Sequence, residues 1–113
     1  MRVKIKNGKL IMDRLYEGKN LYFAEGKITA ITADKEFDAK GNFVSPGFID
    51  IHTHGGGGAD FMDGGVEPIE QAAQMHLSHG TTTIFPTTLA SSFPVLKSSV
   101  LDIGRAMQSK KRL

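Results

Sequence analysis

His52-Thr53-His54 is the segment of this chain whose residue types and spacing best suit chemistry. Two imidazoles stand two residues apart, and in an extended strand residues i and i+2 point to the same side. One strand end therefore presents two nitrogen donors side by side, a set that suits Zn²⁺, Fe²⁺, Ni²⁺ and similar divalent ions. The chain has no cysteine, which excludes disulfides and thiolate sites, so a metal must rest on His, Asp or Glu. A His-x-His pair also occurs on plain surface strands. Its setting weighs toward a site. Phe48-Ile49-Asp50-Ile51 before it is largely apolar, and Gly55-Gly56-Gly57-Gly58 after it allows a sharp turn and close approach to a ligand. Asp50 is expected to orient a backbone group or a histidine from behind the ligands. Asp60 and Asp63 suit turns, where carboxylates bond backbone N–H groups, and Asp60 is also a candidate to reach the site from its loop. His76 and His79 have blander readings: a core or interface histidine on an apolar helix face, and a cation at a helix C-terminus.

These residues need elements to hold them. Residues 48–52 read as a short buried parallel strand, and residues 55–65 as loop. Pro68 opens a helix that sets Ile69, Ala72, Ala73 and His76 on one face and stops at Gly80. Thr81-Thr82-Thr83-Ile84-Phe85 is β-branched and aromatic, as strands are. Ser91 or Ser92 caps a last helix with Pro94 in its first turn. Its stripe of Phe93, Leu96, Val100, Ile103 and Met107 is expected to face a core. Strand, loop, helix, strand, helix is the opening of a parallel α/β array. In a barrel of such units, functional residues sit at the C-terminal ends of the strands, as His52 and His54 do.

Residues 1–46 differ in character. Val3-Lys4-Ile5-Lys6 alternates apolar and polar, Asn7-Gly8 predicts a tight hairpin turn, and Leu10-Ile11-Met12 returns. Asn20 to Ala24 is a further strand, turned by Glu25-Gly26 into residues 27–32, with Ile28 and Ala30 on one face. Short pieces follow at 36–38 and 42–44. Together they predict a small antiparallel sheet that needs something packed on its apolar face. Two domains are expected, 1–46 and 47–113.

The length of 113 residues suits one domain-sized body, whereas a complete eight-unit barrel takes ~250. A net charge of +2, with 23% charged residues, gives no basic stripe. The run Lys110-Lys111-Arg112 reads as compensation of a helix dipole, so no nucleic-acid partner is expected. No apolar run approaches ~18 residues, which argues against a membrane segment. Arg2, Lys4 and Lys6 are not followed by a long apolar stretch, so a signal peptide is not expected, and a cytoplasmic location is.

Pro46-Gly47-Phe48-Ile49-Asp50-Ile51-His52-Thr53-His54 resembles the first barrel strand of the amidohydrolase superfamily. The glycine run with Asp60-Phe61-Met62-Asp63, and His79 through Ser91, resemble the N-acetylglucosamine-6-phosphate deacetylase family. The resemblance implies an α/β fold. Residues 1–46 would be part of a small antiparallel β-sandwich, and residues 47–113 the first two β/α units of an incomplete (β/α)8 barrel. It implies that His52 and His54 bind a divalent metal, and that a metal-activated water hydrolyses N-acetylglucosamine 6-phosphate to glucosamine 6-phosphate and acetate. The family's further metal ligands, its catalytic aspartate and its sugar-phosphate contacts fall later in its chains, with no counterpart here. The chain is therefore expected to be an N-terminal fragment, inactive alone, whose open edges favour a homo-oligomer. The alternatives are a non-catalytic metal-binding or assembly fragment and another amidohydrolase, such as an aminoacylase.

Overall fold

The structure is a computed structural model that describes residues 1–29 and 33–109. It is a mixed α/β chain of two compact units, Met1–Pro46 and Gly47–Leu113. Ala30 and the basic run Lys110-Lys111-Arg112 lie outside the described residues.

The first unit contains β1 (Arg2–Lys6), β2 (Lys9–Ile11), β3 (Leu15–Tyr16), β4 (Leu21–Ala24), β5 (Lys27–Thr29), β6 (Lys35–Asp38) and β7 (Phe43–Val44). They form two sheets, ordered β5-β4-β1-β6 and β3-β2-β7. The Glu25-Gly26 turn is as expected, with both residues at positive φ between antiparallel β4 and β5. The expected hairpin at Asn7-Gly8 is not formed. Asn7 does take a positive φ of 56°, but β1 and β2 belong to different sheets. The reason lies in the second turn around residues 39–42. Gly41 N–H donates to the Asn7 carbonyl at 2.7 Å and Lys9 N–H to the Asn42 carbonyl at 3.0 Å, which carries β2 away from β1. Nor is the unit purely antiparallel: β1 runs parallel to β6, and β2 parallel to β7. Such pairs join segments roughly thirty residues apart, which local turn chemistry cannot announce. Among the described residues of this unit, Leu10 and Ala39 are the buried apolar ones.

Salt bridges stitch the parallel pair together. Arg2 holds Asp34 at 2.8 Å, while Lys4 and Lys6 hold Glu36 at 2.8 and 2.9 Å. Hydrogen bonds from Arg2 lower the Asp34 carboxyl to about 2. Those from Lys4 and Lys6 lower Glu36 to about 2.

The second unit contains β8 (Phe48–Thr53), β9 (Gly55–Gly56), β10 (Ala59–Asp60), α1 (Glu67–Ser78), β11 (Thr81–Pro86) and α2 (Phe93–Gln108). β8 and β11 are parallel neighbours, as a strand-helix-strand order requires. The glycine run is not plain loop. β9 and β10 form a small antiparallel hairpin, with Gly57 at φ 62° and Gly58 at φ 84° in its two-residue turn. A side chain at Gly55 would collide with the Ala59 carbonyl, and one at Gly56 with Met75 of α1. The core is Phe61, 1% exposed, with Ile69 and Ala72 of α1, and Ile84, Ile103 and Ala106 packed against them.

α1 ends where expected, its capping residue His79 followed by Gly80 at φ 92°. α2 starts after Ser92 with Pro94 in its first turn, although the Ser92 side chain makes no capping bond. The stripe expected on its inner face is largely outside. Phe93 is 77% exposed and Met107 82%, and Val100 is exposed too. The buried residues of α2 are Ser99 and Asp102, because Ser99 bonds its own backbone at Val95 and Asp102 accepts the Gly65 N–H. β8 likewise departs from the buried strand expected: Phe48, Ile49 and Ile51 are all exposed.

Candidate functional site

The end of β8 is fixed by bonds to three neighbouring elements. The Thr53 carbonyl accepts the Thr87 N–H at 2.8 Å, beyond the end of β11, and the His54 carbonyl accepts the Phe61 N–H at 2.9 Å, just after β10. Phe61 is the largest fully buried side chain, so this second bond ties the histidine segment to the core. From α1, His76 Nε2 lies 3.0 Å from the Gly55 carbonyl and 3.2 Å from Thr53 Oγ1.

His52 and His54 come together as the strand period requires. Their ring centroids are 5.1 Å apart and the planes meet at 76°. His54 Nδ1 lies 2.9 Å from the Thr87 carbonyl. A carbonyl only accepts, so Nδ1 carries the proton and the Nε2 lone pair is left for a ligand. A histidine oriented in this way, one nitrogen held by the protein and the other free, is how metal-ligating imidazoles are arranged. The donor set therefore fits a divalent ion, but it is incomplete. Among the described residues, no three His, Asp or Glu side chains gather into a metal-holding group.

The flanking acids bond backbone. Asp50 accepts the His52 N–H at 3.1 Å, steadying the residue behind the first imidazole. Asp60 accepts the Met62 N–H and Asp63 the Asp60 N–H, both at 2.8 Å, which closes the turn after the glycine hairpin. His79 Nδ1 lies 2.9 Å from the Met75 carbonyl at the exposed end of α1. Sequence reasoning missed Thr53, buried between the two histidines and bonded to the Gly55 carbonyl, and the part played by the Thr87 main chain. A threonine in a β-branched strand gives no local signal of such a bond. It also missed Asp102, whose partner Gly65 lies 37 residues away.

Over 97 residues the chain is 31% identical to N-acetylglucosamine-6-phosphate deacetylase of Homo sapiens, covering 77% of this chain and 23% of that protein. Proteins of the same name from Lysinibacillus sphaericus and Caenorhabditis elegans match similarly. An allantoinase of Bacillus licheniformis is 42% identical over 69 residues, 53% of this chain and 15% of that protein. Among solved structures, N-acetylglucosamine-6-phosphate deacetylase from Pasteurella multocida superposes on the whole chain with a TM-score of 0.88 and 27% identity, over 32% of its own length. The chain thus spans about a quarter of the human relative's length. No family model matches it.

Proposed function

Since the chain belongs to the amidohydrolase superfamily, among relatives of the N-acetylglucosamine-6-phosphate deacetylases over part of their length, we propose that it supplies the metal-binding strand end of such an enzyme. The observation that carries this reading is the His52–His54 pair, with His54 Nδ1 spent on the Thr87 carbonyl and Nε2 free.

His52 and His54 hold the divalent ion, which when bound supplies Lewis acidity toward an amide carbonyl and acidifies water. Asp50 steadies the His52 backbone, and Thr87 fixes the His54 tautomer. Two imidazoles leave a divalent ion short of a closed set of ligands, and among the described residues no third His, Asp or Glu joins them. In this reading residues 47–113 are the first two units of a (β/α)8 barrel, and residues 1–46 are part of a small β-sandwich. The parallel β8–β11 pair and the likeness to 32% of the Pasteurella structure support that assignment. The reaction is hydrolysis of N-acetylglucosamine 6-phosphate, in the cytoplasm. Among the described residues, no helix is long and apolar enough to cross a membrane.

The test is calorimetric titration of zinc into the protein, His52→Ala and His54→Ala. Weak binding that rises with pH is expected in the wild type, because imidazole must be neutral to ligate, and it should be lost in both variants. Equal affinity in all three would overturn the site. The likeness to an allantoinase supports a second reading, a different hydrolase of the same superfamily. Acetate release from N-acetylglucosamine 6-phosphate, against hydrolysis of allantoin, by the whole enzyme carrying this segment separates the two.

A further inference from the structure

We infer that His76 is a positioning residue for the His52–His54 pair, an inference that rests on the metal reading above. His76 comes from α1, 22 residues beyond His54, and touches neither imidazole in the bonds described. Its Nε2 instead reaches the one turn through which the chain leaves the pair, at 3.0 Å from the Gly55 carbonyl and 3.2 Å from Thr53 Oγ1. Thr53 Oγ1 donates to the same Gly55 carbonyl at 3.1 Å. That carbonyl accepts only, so Nε2 is the protonated nitrogen of His76, and its N–H is shared between the carbonyl and the hydroxyl. The three groups form a closed triangle around Thr53, which is itself buried.

The neighbourhood explains why a ring is needed at this place. Met75 packs where a side chain on Gly56 would stand, and Gln71 Nε2 donates to the Gly57 carbonyl at 2.8 Å. One face of α1 thus grips the hairpin through Gln71, Met75 and His76, and His76 is the member of the three that reaches back to Thr53. An aliphatic residue there would fill space but leave the Gly55 carbonyl without its second donor and the Thr53 hydroxyl without its donor. The backbone between the two imidazoles would then be held from the Thr87 side but no longer from α1.

The experiment compares wild type, His76→Leu, His76→Gln and Thr53→Val. Amide hydrogen exchange is read at Phe61 and Thr87, and the ¹⁵N shifts of His54 report its tautomer, all without metal. Loss of one buried hydrogen bond should speed exchange at both amides by about tenfold in His76→Leu. The His54 tautomer should change from a single form to a mixture. Glutamine, which can place an N–H near the Nε2 position, should restore both. Folded His76→Leu with wild-type exchange and a single tautomer would overturn the inference. If that variant does not fold, Thr53→Val carries the comparison, since it keeps the imidazole and removes only the hydroxyl; unchanged exchange there overturns it equally. Zinc titration of the same proteins should weaken about tenfold or more in His76→Leu. Zinc affinity indifferent to His52→Ala would sink the metal reading, while the exchange data would still decide the role of His76.

Discussion

Asp102 shows how one buried carboxylate can organise a loop. It accepts the Gly65 N–H at 2.9 Å and the Arg105 guanidinium at 2.8 Å from a position 5% exposed. Arg105 is largely exposed, so the ion pair itself contributes little. The Gly65 bond matters more, because it ties the buried carboxylate to the loop before α1 through a charge-assisted hydrogen bond. Asp102→Ala should therefore lower the stability of the second unit by about 1–3 kcal/mol, measured by denaturant unfolding. Asp102→Asn should cost less, since its amide oxygen can still accept that bond. At this scale the sequence was legible where function needs only strand alternation: His52 and His54 meet because i and i+2 share a side. It was mute about Thr53, Asp102 and the Thr87 peptide, whose partners are fixed by tertiary approach rather than spacing.

Among elements, the helices and the β8–β11 pair followed from apolar periodicity and from Pro and Gly punctuation. The glycine hairpin did not, because a run of glycines carries no side-chain period, and the switch of β2 into a second sheet did not, because its partner β7 lies far along the chain. The β1–β6 pairing has a consequence that pH can expose. Hydrogen bonds from Arg2, and from Lys4 and Lys6, hold Asp34 and Glu36 below their ordinary values of 3.8 and 4.5, to about 2 in each case. A carboxylate depressed in the folded state contributes stability above its unfolded pKa, and that contribution disappears as pH falls through the folded pKa. The β1 and β6 amides should therefore lose exchange protection between about pH 4.5 and 2. Glu36→Gln should flatten that loss. Salt should shrink the effect, as these side chains are half-exposed.

At the level of the whole chain, exposed apolar surface is the leading fact. Phe93, Val100 and Met107 line α2 outwardly, and Phe48, Ile49 and Ile51 stand open on β8. An open groove of about 630 Å³ beside α1, β11 and α2 is lined by Ile69, Ile84, Phe85, Ile103 and Met107, among others. Apolar surface of this extent recruits other protein. The polypeptide 1–113 on its own should be a dimer or larger by light scattering, with a mass that rises with concentration. Phe93→Ser with Met107→Ser should reduce the association. A monomer of constant mass across concentrations, unfolding cooperatively, would contradict this.

The grip on His54 comes from a main-chain atom, and that has a bearing on sequence drift. The Thr87 peptide receives the imidazole at its carbonyl and gives its N–H to Thr53, so the side chain at position 87 takes no part in either bond. Its hydroxyl bonds elsewhere, to the Phe85 carbonyl. Position 87 is thus free to wander among amino acids without disturbing the histidine's tautomer. Proline is the exception, because it would delete the N–H and release the strand end on one side.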